Sequence, residues 1–339
     1  MTVTITTGKN KRRKTNNRKT NKKKKKTPSV ATINSKTNSK TNSKTNSKYT
    51  SQKACSPISK ADMRGGNFST CYTYEALLDI ANAYNKTAPD NDRIRIVKGK
   101  KALWTAIKNK MDRMSDCEGE WCWVKQPLQI PDDKRRRLVS TFKPPIPKGK
   151  YDWLSTEDID HVINQYKPLH PELYFMGTWP MDFEKLHPKF REFDPIELER
   201  QKITKVALVL NEDTSDQPGS HWVGLFMDLP KRQVNFFDSL GDKPKAPVIE
   251  WIQRINKNQK KSNPINSNSM NSNPSFQLLW NPHRHQYANS ECGVYTINFL
   301  IKRIEDVPFK TIVNNQIRDE AMNKKRADFF NPFDKYDNR

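Results

Sequence analysis

The chain has 339 residues, a formal net charge of +24, an isoelectric point near 9.7 and a mean hydropathy of −0.94. That length allows about two domains, and no apolar run approaches the ~18 residues of a membrane-spanning helix. The charge is uneven: residues 1–50 hold 16 Lys and Arg with no Asp or Glu, leaving only +8 on the other 289. The basic excess is therefore a property of a tail and not of the fold.

The first residues, Met1-Thr-Val-Thr-Ile-Thr-Thr, are too polar for a signal-peptide core, so a soluble protein that is not secreted by the usual route is expected. Residues 1–66 read as a disordered basic tail. The first 50 are built from Lys, Asn, Thr and Ser with a repeat starting at Lys36, Lys40 and Lys44, which cannot bury enough apolar surface to offset ordering entropy. The run Lys22 to Lys26 suits nucleic-acid phosphates or nuclear import; a solvated, solubilising tail is the alternative. Gly65-Gly66 reads as a hinge or, less simply, as a self-cleavage point.

Residues 67–126 read as a small helical module. Leu77, Leu78, Ile80, Ala81 and Tyr84 recur at helical spacing, and so do Leu103, Trp104, Ile107 and Met111. Residues 127–150, with five prolines and the basic run Lys134-Arg-Arg-Arg, read as a linker. Five cysteines, an odd number, argue against a disulfide framework and for a reducing compartment. Cys55, Cys71, Cys117 and Cys122 are expected to be free thiols. A zinc site is the weaker alternative, since no Cys-x-x-Cys pair is present.

Residues 151–339 read as a mixed α/β domain. Ser155 or Thr156 would cap a helix favoured by Glu157 and Asp158. Strands are expected from Lys205, from His221, from Gln233 and from Phe276, with a helix over 247–255. An Asn/Ser/Lys-rich insertion at 256–275 is expected to be disordered. Cys292 to Ile304 reads as an apolar, buried helix.

Cys292 stands where the polar turn Asn289-Ser-Glu gives way to that helix. Unpaired N–H groups and the dipole at such a point favour a thiolate nucleophile, although a lone buried Cys is more often a packing residue. A base is available in His221, at a strand end beside a loop. Asp238, seventeen positions on, ends the next strand, so a hairpin would return both to one rim. Asp228 is a rival carboxylate but sits mid-hairpin. His161, His170 and His187 lack such a partner, and no spacing favours His283 or His285. Gln286, six positions before Cys292, could donate to a developing oxyanion with the Cys292 backbone N–H.

Together His221-Trp222, Asp238-Ser239-Leu240, Gln286 and Glu291-Cys292-Gly293-Val294-Tyr295 resemble the catalytic blocks of the SUMO-specific and adenovirus-type cysteine proteases. The order His, Asp, Gln, Cys matches, and it excludes the papain arrangement, where Cys comes first. Over residues 150–305 the resemblance implies an α+β fold, a mixed sheet flanked by helices. It also implies Cys292 as nucleophile, His221 as base, Asp238 as orienter and Gln286 as oxyanion donor. Trp153 and Trp222 match two tryptophans that cover a Gly-Gly tunnel in SUMO proteases, although Ser155-Thr156 replaces the family's Asn-Asp. The segment from Cys71 to Trp153 is most similar to thiol proteases of giant nucleocytoplasmic DNA viruses.

The expectation is a viral thiol endopeptidase that matures virion or core polyproteins after Gly-Gly. An isopeptidase acting on ubiquitin-like conjugates and a packaged nucleic-acid-binding virion protein are the alternatives. The partner would be a protein substrate, with nucleic acid on the tail and no membrane. No cofactor and no metal are called for, and the expected location is the virion and the host cytoplasm, with the nucleus as an alternative.

Overall fold

The computed structural model describes residues 53–62, 68, 70–114, 119–147, 149, 152–262 and 275–335. The basic segment 1–50, the Gly65-Gly66 pair, Cys117 and the 263–274 part of the insertion lie outside them. The described residues fall in one compact unit, Asn46–Arg339.

Five strands form the central sheet: β2 (Leu173–Pro180), β3 (Lys205–Asn211), β4 (Trp222–Asp228), β5 (Gln233–Phe237) and β6 (Gln277–Trp280), in that order. A short strand β1 (Pro145–Ile146) pairs separately with β7 (Asn331–Lys335). In the sheet β2–β3 and β5–β6 are parallel, whereas β3–β4 and β4–β5 are antiparallel. Alternation along the strands makes two cores. Val206, Leu208, Leu210, Val223, Leu225 and Met227 face one side, towards Trp251 and Val248 of the helix Ala246–Ser262. Ala207, Val209, Phe226 and Phe237 face the other, towards Val294, Ile297, Phe299 and Leu300 of the helix Cys292–Ile304. Sheet strands covered on both faces are apolar throughout, which is why β4 is buried along its whole length.

The helix Cys292–Ile304 is buried at every residue except Lys302. A helix apolar on all sides must lie inside the domain, and here it lies across β4 and β3 and against the helix Thr156–Asn164. The latter opens on a capping box between Ser155 and Asp158.

A third core belongs to the helical module. Helices Tyr74–Asn85 and Lys100–Met114 pack Leu77, Ile80, Leu103 and Ile107 against Tyr72, Trp104 and Trp123. At its centre sits the carboxylate of Glu120, 1% exposed. It accepts from the Cys71 N–H at 3.0 Å, from Trp104 Nε1 at 2.9 Å and from the Thr70 hydroxyl.

Four sequence readings are corrected. The module takes in residues assigned to the tail, because Ala54 and Cys55 are buried in its core. Residues 127–150 are not a free linker: Asp132–Val139 is a helix with acids at its start and arginines at its end. Leu138 and Phe142 enter the module core. Cys55 and Cys71 are not free thiols but form a disulfide, and Cys122 is also disulfide-bonded. Cys55 pairs across an antiparallel bridge with Phe142, whose ring meets Tyr72 at 5.0 Å, and this carries Cys55 to Cys71. Among the insertion residues, the helix runs on to Ser262, beyond the expected end near 255.

Candidate functional site

The site is built on the hairpin of β4 and β5. Gly224 pairs with Phe237 and the pairs march inward from there, so the residues just beyond, His221 and Asp238, share one rim. His221 Nε2 lies 2.6 Å from Asp238 Oδ1. The carboxylate is fixed by the next turn: Oδ1 also accepts the Leu240 N–H at 2.9 Å, and Oδ2 accepts the Asp242 N–H at 3.0 Å. With both oxygens held, the imidazole that donates to Asp238 has one orientation.

Cys292 is near enough to the same imidazole to raise its pKa. Burial pushes the His221 pKa down. The hydrogen bonds to Asp238 and Cys292, with the negative charges of both, outweigh this and hold it at about 10. The imidazole therefore carries its proton at neutral pH, facing the Asp238 carboxylate.

Cys292 is the first residue of its helix, and the N-cap residue Glu291 makes no side-chain cap. The first-turn N–H groups are thus not taken by a capping side chain. Cys292 is 1% exposed, and the space over its neighbour is full: a Cβ on Gly293 would lie 3.1 Å from Leu154 and 3.2 Å from Trp222. Trp222 is 8% exposed and donates its Nε1–H to the Leu154 carbonyl at 2.8 Å. Trp153, one residue before Leu154, is 49% exposed.

Gln286 is buried beside the turn that follows β5. Its Oε1 accepts from the Ser239 hydroxyl at 2.7 Å and its backbone N–H donates to the Ser239 carbonyl at 2.9 Å. One Nε2 hydrogen goes to the Ala288 carbonyl at 2.7 Å. An amide NH₂ has two hydrogens, so one remains to donate.

Two residues that sequence reasoning missed hold these parts together. Asn281, fully buried after β6, donates to the Asp238 carbonyl at 2.9 Å and to the His283 carbonyl at 2.8 Å. Gly241 adopts φ +86°, and a Cβ there would come 2.8 Å from the His283 carbonyl carbon. Only glycine lets the Asp238 turn lie this close to the segment leading to Gln286. The Ser-Leu-Gly sequence after Asp238 was the one available signal for Gly241; nothing local marks Asn281.

The other candidates fall elsewhere. Asp228 ends β4 at the far side of the sheet, bonded to Lys231 at 2.8 Å and Arg303 at 3.4 Å. His170 faces Glu172 at 3.2 Å, and His187 accepts the Lys189 N–H at 3.1 Å. His285 sits behind the site, its Nε2 at 3.1 Å from the Val313 carbonyl. A cavity of about 680 Å³ lies between the helical module and the α/β domain, beside Trp121, Phe142 and His161, and is lined by none of the four motif residues. Among the described residues no His, Cys, Asp or Glu cluster is arranged to hold a metal.

Residues 175–337 match the Ulp1 protease family, C-terminal catalytic domain. A protein of Acanthamoeba polyphaga mimivirus, named as a thiol protease, is 28% identical over 281 residues, covering 77% of this chain and 89% of its own. A cysteine protease of African swine fever virus is 27% identical over 235 residues, covering 63% and 83% respectively. The crystal structure of an African swine fever virus protease has the same fold, with a TM-score of 0.53 at 23% identity over 73% of this chain and 94% of that one.

Proposed function

Because residues 175–337 form a catalytic domain of the Ulp1 protease family and the chain is a cysteine-type peptidase, we propose that Cys292 is its nucleophile. In this reading His221 is the general base and acid, Asp238 its orienter, and Gln286 with the Cys292 N–H the oxyanion hole. The observation that carries it is the arrangement around one imidazole, with Nε2 at 2.6 Å from Asp238 and Cys292 close enough to raise its pKa.

The chemistry follows from those contacts. The Cys292 thiolate attacks the scissile carbonyl carbon, and the carbonyl π electrons move to oxygen. The Gln286 Nε2–H and the helix-start N–H stabilise that oxyanion. As the tetrahedral intermediate collapses, the His221 imidazolium protonates the departing amine and the acyl group stays on sulfur. A water molecule then gives its proton to His221 and attacks the thioester. Collapse releases the carboxylic acid and regenerates the thiolate and the imidazolium.

The substrate is a protein with Gly-Gly before the cut, in the leading reading a virion or core polyprotein. The buried thiol supports this: with Leu154 and Trp222 filling the space at Gly293, a chain reaching Cys292 has little room for side chains. A deconjugating isopeptidase is the second reading. It is favoured by the exposed Trp153 beside the site and by African swine fever virus relatives named SUMO-1 cysteine proteases. The basic tail 1–50 would bind nucleic acid, and action on virion polyproteins would place the protein in the virion and the host cytoplasm.

Reaction with a ubiquitin-like vinyl-sulfone probe, run beside cleavage of a Gly-Gly-X virion peptide, separates these readings. Cleavage without labelling supports polyprotein processing, and labelling without cleavage supports deconjugation. Neither reaction would overturn the Gly-Gly assignment.

A further inference from the structure

The turn that joins Gln286 to Cys292 is held from outside by a segment far along the chain. At one end the Asp319 carboxylate accepts the backbone N–H groups of Tyr287 and Ala288, each at 2.9 Å, through Oδ2. Its Oδ1 accepts from the Tyr295 hydroxyl at 3.0 Å. Ala288 is the residue whose carbonyl fixes the Gln286 amide. At the other end Arg326, 3% exposed, donates through Nη2 to the Ser290 carbonyl at 3.2 Å and to the Asp152 carbonyl at 2.6 Å. Its Nε donates to Asn323 Oδ1 at 2.7 Å, and its buried Nη1 has no partner among the described residues.

A buried guanidinium is costly unless nearby negative charge repays its desolvation. Burial lowers the Arg326 pKa, while the charges of Glu291, Asp152, Asp158 and Cys292 act against that. The charged groups acting on Arg326 are thus Glu291 from the turn before Cys292, Asp152 and Asp158 from the start of the domain, and Cys292 itself, which in turn acts on His221 beside Asp238.

We infer that Asp319 and Arg326 are positioning residues for the proposed reaction, setting the distance between the oxyanion donor Gln286 and the nucleophile Cys292. Arg326 also adds positive charge near the thiol. This rests on the assignment of Cys292 and Gln286 above. The segment that carries both residues is itself anchored to the chain before the catalytic domain. Lys143 Nζ donates to the Ala327 carbonyl at 2.8 Å, and the Asn331 N–H donates to the Pro144 carbonyl at 2.7 Å.

The test uses the full chain as Asp319→Asn, Arg326→Met, Arg326→Lys and Cys292→Ala. Three readouts are taken: kcat and KM on a Gly-Gly peptide, the pH dependence of iodoacetamide alkylation at Cys292 by mass spectrometry, and thermal melting. Asp319→Asn is expected to lower kcat by roughly tenfold or more at similar KM, as displacement of a donor does, with the alkylation midpoint unmoved. Arg326→Met is expected to move that midpoint to higher pH. Arg326→Lys restores the midpoint by keeping the charge but still lowers kcat, because the fork to Ser290 and Asp152 is lost. Folded Arg326→Met with a wild-type midpoint would overturn the electrostatic part. Wild-type kcat in both Asp319→Asn and Arg326→Lys would overturn the positioning part. If Arg326→Met does not fold, the Lys and Asn variants decide. Cleavage by Cys292→Ala at the wild-type rate would instead overturn the nucleophile assignment, which keeps the two failures apart.

Discussion

His221 Nε2 and Asp238 Oδ1 stand 2.6 Å apart on the same sheet rim, and the imidazole between Asp238 and Cys292 has its pKa raised to about 10. If the imidazolium must protonate the leaving amine, kcat/KM should hold through neutral pH and fall only as the pH approaches about 10. Asp238→Asn removes one of the negative partners, so the alkaline limb should move towards the ordinary histidine value near 6.5. The rate should drop by roughly 10²-fold or more. A pH–rate profile checks both, and an unmoved limb in the Asn variant would remove Asp238 from the role of orienter.

Gly241 makes a separate prediction. A side chain there meets backbone at 2.8 Å and must adopt φ +86°. Gly241→Ala should cost about 1–2 kcal/mol of stability from the left-handed conformation alone. It should also lower kcat, because the Asp238 turn and the Gln286 segment are pushed apart. Denaturant unfolding with steady-state kinetics checks the pair. Full stability and full activity would mean that the close approach is not needed.

Glu120 predicts a pH-dependent module. Burial raises its carboxyl to about 7, against the hydrogen bonds from Thr70, Cys71 and Trp104 that favour the anion. A folded-state pKa above the unfolded value near 4.5 means a contribution fully present below about 4.5 and lost as the pH rises through about 7. Relative to Glu120→Gln, the wild type should lose on the order of 3 kcal/mol across that window. Urea unfolding at a series of pH values measures this, and a constant difference would contradict it.

The disulfide predicts a redox effect on the same module. Cys55 and Cys71 are 16 positions apart, and closing a loop of that size stabilises by about 3 kcal/mol. Cys55→Ser should lower the unfolding midpoint, and a reducing agent should lower that of the wild type by more than that of the variant, which keeps the Cys122 bond. Equal midpoints with and without reductant in the wild type would argue against the bond.

If the tail binds nucleic acid as proposed, deleting residues 1–50, with 16 of the basic side chains, should flatten the salt dependence of that binding. Every phosphate that the tail no longer neutralises takes about 0.9 from the slope of log affinity against log salt. An unchanged slope would give the tail another role.

The catalytic domain was largely legible because its signals are local. Lys205–Asn211, Trp222–Asp228 and Gln233–Phe237 announce themselves as β-branched and apolar runs, and the helix Cys292–Ile304 begins and ends where its apolar run does. The proximity of His221, Asp238, Gln286 and Cys292 was readable from motif order and intervals. What escaped depends on distant partners. β2 carries Gly177 and ends in Pro180, so it lacks a clear strand pattern. The Cys55–Cys71 bond depends on Phe142 arriving from elsewhere in the chain. Asp319 and Arg326 look like ordinary surface charges in sequence, and only the fold turns them towards the 287–291 turn.

The central claim concerns Cys292, and the most direct measurement is mass-spectrometric mapping of the adduct left by a Gly-Gly peptide vinyl sulfone on the native protein. A single adduct on Cys292 is predicted, strongly slowed in His221→Ala and absent in Cys292→Ala, with peptide cleavage lost in parallel. An adduct on any other residue, or cleavage by Cys292→Ala at the wild-type rate, would contradict it.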